Sequence, residues 1–397
     1  MTSLERLILS LEAGIVALWM IRHVALTIIY RGFDVLTRKS PKFQQSNPPL
    51  VSALIPAKDE EAIIADCLAS VAKQDYSNLE ILVIDDRSTD GTANIIREFA
   101  KSDPRVHLIS IHNLPSGWTG KTHALHVGTS EARGEWFWYL DADTLHSPES
   151  LSVMLEYARL HNAAMASLVP EMRCESFWET IVQPLAGIVL MRSFPLSTVN
   201  RDDRKLAFAN GQYILIRRDA YKASGGHEAV RDRFVEDIFM AKRVKALGMA
   251  VRVAITNEIS STRMYTSLPR IIQGWSRILY DASERKPWPL ILKILEPLAF
   301  THTGDVAIVV APLLLLMNVA VPFAWWLLGL AALHQVLKAT VLYRMYRWTS
   351  PRVASRAAFW YPLAGVVAIW ICLKSIGMCL TGRVTWRGTA YGAPAAR

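Results

Sequence analysis

Four small groups of side chains in this 397-residue chain have the types and spacing to work on a phosphorylated ligand. Asp141-Ala142-Asp143 sets two carboxylates one residue apart, directly after the run Trp136-Phe137-Trp138-Tyr139-Leu140. Side chains alternate faces along a strand, so both carboxylates point the same way provided the extended geometry persists past Leu140. Such a pair suits a divalent cation, and a cation suits a phosphate; it is also what a plain acidic turn looks like. Asp85-Asp86 closes a second apolar run. Its acids can accept hydrogen bonds from a base or a ribose, while Ser88, Thr89 and Asp90 can cap the next helix. Gly117-Trp118-Thr119-Gly120-Lys121 opens a helix. Its glycines let backbone approach a ligand and its lysine attracts an anion, although the spacing is not that of a P-loop and an ordinary turn fits as well. Glu236-Asp237 begins another helix, where acids complement the helix dipole and a carboxylate can serve as general base toward a hydroxyl. His123, His126, His146 and His227 lack a metal-ligand spacing and read as structural.

Strands and helices alternate where these groups lie. The pattern predicts strands over 51–56, 79–84, 106–111 and 135–140, with helices over 59–74, 90–100 and 121–132 between them. Strands separated by helices of that length imply a parallel α/β sheet, whose ligands bind at the strands' carboxyl ends. The first strand ends in Pro56-Ala57-Lys58-Asp59-Glu60, a polar turn placed to line the same crevice. Beyond residue 150 the pattern loosens: helices over 151–161 and 235–247, a strand over 206–216, and mixed structure over 174–199.

The flanks are apolar. Residues 7–30 form an N-terminal anchor helix, read as spanning a bilayer, although Glu12, Arg22 and His23 interrupt it. Arg31, Arg38, Lys39 and Lys42 follow, which puts that side in the cytoplasm by the positive-inside rule. Residues 306–337 and 359–380 are further apolar runs; the first reads either as one tilted span or as two short spans turning near Asn318, and three spans after the soluble region are favoured over two. Between soluble and apolar parts, residues 265–295 mix apolar positions with Arg270, Arg277, Arg285 and Lys286 and read as interfacial. The 44 Lys and Arg against 35 Asp and Glu leave a net charge of +9. The positive charge after Lys338 flanks apolar segments, which points to a membrane surface rather than nucleic acid. Four scattered cysteines form no metal or disulfide pattern. The expected division is an anchor over 1–39, a catalytic domain over 40–264, an interfacial segment over 265–299 and transmembrane helices over 300–397.

Taken in order, the polar first turn, Asp-Asp, Gly-Lys, Asp-x-Asp and Glu-Asp resemble family 2 glycosyltransferases with the glycosyltransferase A fold, over about residues 50–280. The resemblance implies an α/β nucleotide-sugar-binding domain carrying N- and C-terminal transmembrane helices. It implies that Pro56, Asp59, Glu60, Asp85, Asp86, Lys121 and Asp141 bind the nucleotide sugar. It further implies that Asp141 and Asp143 hold Mg2+ or Mn2+, and that Asp237, beside Glu236, is the base. The segments Gly117–Lys121 and Asn210-Gly211-Gln212-Tyr213-Ile214-Leu215-Ile216-Arg217-Arg218 look like the membrane-bound branch with the hopanoid-associated, carotenoid and ceramide glycosyltransferases. Processive synthases carry Gln-x-x-Arg-Trp; here Gln273-Gly274-Trp275-Ser276-Arg277 changes the order. Asn210, Gly211, Gln273 and Trp275 are the acceptor-side candidates. The expected activity is inverting transfer of a sugar from a nucleotide sugar, with a UDP-sugar as the favoured donor, to the hydroxyl or carboxyl of a membrane lipid. It is expected in a multi-pass protein of the cell's inner membrane with its catalytic domain in the cytoplasm. A processive polysaccharide synthase and a non-catalytic scaffold are the alternatives.

Overall fold

Apolar runs that alternate with amphipathic stretches build a seven-stranded sheet. The structure, a computed structural model, describes residues 1–30 and 32–391, so Arg31 and Arg397 lie outside the described residues. Two compact units emerge: one of Phe33–Arg173 with Leu190–Met264, the other of Met1–Gly32, Cys174–Val189 and Tyr265–Arg397.

The first unit holds β1 (Val51–Ala57), β2 (Leu79–Asp86), β3 (Val106–Ile111), β4 (Trp136–Leu140), β5 (Thr144–His146), β6 (Met165–Val169), β7 (Glu171–Met172), β8 (Tyr213–Arg217), β9 (Val251–Ile255) and β10 (Ser260–Thr262). The main sheet runs β3-β2-β1-β4-β8-β6-β9, and β5, β10 and β7 form a second, three-stranded sheet. All main-sheet strands are parallel except β8, which runs against both β4 and β6. Val51, Ala53, Leu54, Ile55, Ile81 and Val83 are fully buried, as expected of strands covered on both faces. The register pairs Ala57 with Asp85 and Asp86 with Ile111, bringing the turns after β1 and β2 to one edge.

Three local readings need correction. The helix expected from Asp59 begins at Ile64, because Asp59 turns into the left-handed region at φ +52°. The strand expected from Leu206 begins at Tyr213; Ala207, Phe208 and Ala209 are buried without pairing, and Asn210–Gln212 make a turn instead. The extended geometry of β4 stops at Leu140, and Asp141 starts a turn in which the Thr144 N–H and Oγ1 both donate to its carbonyl (3.3 and 2.7 Å). Strand alternation therefore does not orient the Asp141–Asp143 pair; a turn does.

In the stretch 174–199, read as mixed, a helix runs over Phe177–Ser193 with Pro184 inside it, and its residues 177–189 belong to the second unit. Four helical stretches among the described residues are long and apolar enough to cross a membrane: Ser3–Ile29, Trp288–Leu316, Val321–Thr349 and Tyr361–Thr381. The turn at Asn318, with φ +56°, separates the second from the third. The first C-terminal stretch begins at Trp288, so part of the segment read as interfacial joins it. Several charged groups inside this unit are paired, which lowers the cost of placing them in an apolar medium: Glu12 with His334 (2.7 Å), Arg22 with Glu296 (2.6 Å), and Asp305 with Lys338 and His302. A hairpin, β11 (Val384–Trp386) and β12 (Thr389–Tyr391), follows the last helix. Its Trp386 ring lies under the Arg277 guanidinium, 4.1 Å from the ring centre.

Candidate active site

The carboxyl edge of the main sheet gathers most of the candidates, and Lys121 is their hub. Thr119 caps its helix, Gly120–Glu131, by accepting from the Thr122 N–H (3.4 Å). The Thr119 N–H donates to Arg231 O (2.8 Å) and the hydroxyls of Thr119 and Thr122 to Arg233 O (3.2 and 3.1 Å). These bonds tie the Gly-Lys helix start to the loop before Glu236, across more than a hundred residues of sequence. Lys121 Nζ then reaches Asp141 Oδ1 at 2.7 Å and Glu236 Oε1 at 2.9 Å. Burial alone would depress this ammonium, but Asp141 and Glu236, with Asp237, outweigh it and hold it charged well above the ordinary lysine range.

Asp237 lies against the same cluster. Its Oδ2 accepts from the Gly211 N–H (2.6 Å) and its Oδ1 from the Ile238 N–H (2.8 Å). A Cβ on Gly211 would stand 2.9 Å from Lys121 Nζ and 3.0 Å from Asp237 Oδ2, so any side chain there would crowd both groups. Burial, and then the neighbouring Glu236, push the Asp237 carboxyl up to about 7, with Lys121 and the two N–H donors opposing. The Asn210 side chain works within its own turn: Nδ2 donates to Gln212 Oε1 (3.2 Å) and Oδ1 accepts from the Gln212 N–H (3.1 Å).

The turns after β1 and β2 are laced together. Asp59 Oδ1 accepts from the Thr89 N–H (2.7 Å) and hydroxyl (3.1 Å), and the Glu60 N–H donates to Thr92 Oγ1 (2.8 Å). Asp85 Oδ1 accepts from the Ser88 N–H (3.2 Å), and Pro56 sits in register with Ile84. Asp86 is gripped by Arg87 (2.8 Å), a residue the sequence reading passed over. The available signal was a cation beside an acidic pair. His146 and His227 are buried, and burial pushes both imidazoles down to about 3, which suits structural roles.

Residues 52–225 match Glycosyl transferase family 2. The chain carries a family 2 glycosyltransferase domain. A 4,4'-diaponeurosporenoate glycosyltransferase of Staphylococcus haemolyticus is 26% identical over 250 residues, 62% of this chain and 65% of that protein. The probable glycosyltransferase YdaM of Bacillus subtilis is 28% identical over 232 residues, 56% of this chain and 53% of that protein. The chain thus spans less than two thirds of the length of either relative. A mannosyltransferase of Pyrobaculum calidifontis, PcManGT, solved with GDP-Man and Mn2+, aligns with a TM-score of 0.51 at 18% identity, covering 94% of this chain and 99% of that one. That likeness is one of fold: the mostly parallel sheet of the glycosyltransferase A type.

Within the family 2 domain, Asp141 and Asp143 offer two hard oxygen donors on one turn, a chemistry that fits Mg2+ or Mn2+. Asp143 is steadied through Thr262, whose Oγ1 donates to it (3.4 Å) and accepts from Gln212 Nε2 (3.0 Å). Among the described residues, no group of three or more His, Cys, Asp and Glu is placed to hold a metal ion. Gln273 and Trp275 belong to the other unit. Trp275 is buried and its indole N–H donates to Gln183 Oε1 (2.6 Å), while Gln273 Nε2 donates to Thr385 O (3.2 Å).

Proposed function

We propose that this chain is an inverting glycosyltransferase that moves a sugar from a nucleotide sugar, a UDP-sugar in the first instance, to a lipid of the membrane that holds it, with the catalytic domain on the cytoplasmic face. The observation that carries the reading is the Lys121 cluster. One cation is shared by Asp141, of the Asp-x-Asp turn, and Glu236, beside a carboxyl poised near neutrality. The relatives named for glycosylating diaponeurosporenoate, and four helices able to cross a membrane, support a lipid acceptor.

In this mechanism Asp59, Asp85 and Asp86, with Pro56 and Glu60 lining the turn, receive the nucleoside. Asp141 and Asp143 would hold Mg2+ or Mn2+, which supplies positive charge to the diphosphate. Asp237 takes the proton of the acceptor hydroxyl as that oxygen bonds to the anomeric carbon. The bond from that carbon to the diphosphate breaks on the opposite face, and its electron pair leaves with the diphosphate. Lys121 stabilises the charge developing there. Gly211 orients Asp237 through its N–H. Asn210, Gln273 and Trp275 remain the acceptor-side candidates of this reading.

Detergent-purified full-length chain, given radiolabelled nucleotide sugars, Mn2+ and a membrane lipid extract, should move label into an organic-soluble product. EDTA should abolish the transfer, and Asp143→Asn should reduce it at least about a hundredfold. Label in a long water-soluble polymer would favour a processive synthase. No transfer or donor hydrolysis, with no difference between wild type and Asp143→Asn, would favour the scaffold.

A further inference from the structure

Beneath the Asp141–Asp143 turn lies a buried polar column that the proposed mechanism does not use. The Asp141 carbonyl accepts from the Thr144 N–H and hydroxyl, and the Cys67 thiol of the helix Ile64–Ala72 approaches it to 3.8 Å. Thr144 Oγ1 also lies 2.9 Å from His146 Nε2. A hydroxyl has one hydrogen and a carbonyl can only accept. The hydrogen therefore lies on Asp141 O, and the same oxygen accepts from His146 Nε2–H. In the neutral ring that burial enforces, Nε2 carries the single proton and Nδ1 is a bare acceptor. Nδ1 is buried with no hydrogen-bond partner among the described residues. The ring meets Trp138 and Tyr213 in T-shaped contacts, with centroids 5.3 and 5.4 Å away, and both of those side chains are fully buried. An apolar ring would suit this clamp as well and would strand no buried nitrogen. What histidine adds is the Nε2–H. The strand that carries Thr144 and His146, β5, pairs with β10 and sets Thr262 opposite Thr144. One threonine of that pair holds Asp141 and the other holds Asp143.

We propose that His146 is a positioning residue for the divalent cation, acting through the Thr144 hydroxyl. The inference rests on the metal reading of Asp141 and Asp143 above and deepens it. By donating to Thr144 Oγ1, His146 leaves that hydroxyl one use for its hydrogen, on the Asp141 carbonyl. The carbonyl sets the plane of the peptide that joins Asp141 to Ala142. That plane sets the direction in which both carboxylates leave the turn. Without the Nε2–H the hydroxyl can rotate away, the peptide loses its shorter tether, and the carboxylates meet the ion from a looser turn. Groups that orient metal ligands from outside in this way carry part of the affinity for the ion.

Mn2+ binding to the full-length chain in detergent, read from the paramagnetic resonance of the free ion with and without UDP, tests this apart from turnover. His146→Phe keeps a ring and loses the donor, and Thr144→Val keeps the shape and loses the hydroxyl. Each should raise the Kd for Mn2+ at least about tenfold, the scale of a lost outer partner. Thr144→Ser keeps the hydroxyl, and His146→Gln carries an N–H at the reach of Nε2. Both should stay within about threefold of wild type, well inside that loss. The double variant of His146→Phe with Thr144→Val should bind no more weakly than the weaker single one, because both remove the same path. Additive losses, or His146→Gln binding as weakly as His146→Phe, would make the ring a packing element and overturn the proposal. So would folded His146→Phe or Thr144→Val that holds Mn2+ as tightly as wild type. If His146→Phe does not fold, Thr144→Val carries the test. Should that variant also fail to fold, the hydroxyl serves the fold rather than the ion, and the proposal is overturned. Asp143→Asn is the control: if wild type binds no more Mn2+ than this variant, the metal reading itself fails and this inference falls with it.

Discussion

A carboxyl held near neutrality sets the working range of the proposed chemistry. Asp237 is raised to about 7 by burial first and by Glu236 second, with Lys121 pulling the other way. A base accepts a proton only when ionised, and a raised carboxyl is protonated below its midpoint. The sign follows: kcat/KM should climb with pH through about 7 and level off above it. In Lys121→Met the opposing cation is gone, so the midpoint should move to higher pH as the maximal rate falls. A pH–rate profile for both proteins measures this. A midpoint that stays put or moves down in the variant would separate Lys121 from the base. Rescue by Lys121→Arg, partial because a planar fork replaces a point charge, distinguishes the charge from mere packing.

At the scale of elements, the sheet edge is positioned by close backbone contacts that leave no room for change. A Cβ on Gly134, in the turn before β4, would meet the Ser52 backbone nitrogen at 2.6 Å and Ser52 Oγ at 2.5 Å. Ser52 Oγ already accepts from the Gly134 N–H (2.7 Å) and donates to Glu80 Oε1 (2.5 Å). Gly134→Ala should therefore cost about 1–3 kcal/mol, the usual scale of forced overpacking, read as a lowered thermal midpoint of the full-length protein. An unchanged midpoint would mean that β1 and β4 can part freely. The sequence announced the elements that obey period and length: β1, β2, β3, β4 and the helices between them. It concealed those decided by distant partners. Asp59 looked like a helix start, but Thr89, thirty residues on, holds it outside the helix. Ala207–Ala209 looked like strand because burial, not pairing, makes them apolar. Of the site, the residue types were legible as separate motifs. Their convergence on Lys121 was not, because the bonds from Thr119 and Thr122 to Arg231 and Arg233 leave no local pattern. Arg87 stood in plain view, yet its grip on Asp86 depends on a left-handed backbone (φ +59°) that no side-chain pattern encodes.

At the scale of the whole molecule, the order of the chain and the order of its units do not coincide. Cys174–Val189 interrupts the sheet-bearing unit and belongs with the apolar helices. There Leu185 and Ile188 are buried in one cluster with Leu342, Tyr346, Ala354, Ala357, Ala358, Tyr361 and Ala364, and Gln183 takes the indole N–H of Trp275. Trimming the flanks would leave that insertion bound into the remainder, with Leu185 and Ile188 stripped of the cluster that buries them. A fragment of residues 33–264 should accordingly aggregate when expressed alone, whereas the full chain in detergent should be monodisperse on size exclusion. A fragment that is monodisperse and binds UDP would refute this. The consequence reaches past purification: a protease that cuts on both sides of residues 33–264 should release no soluble fragment, because Cys174–Val189 leaves with it.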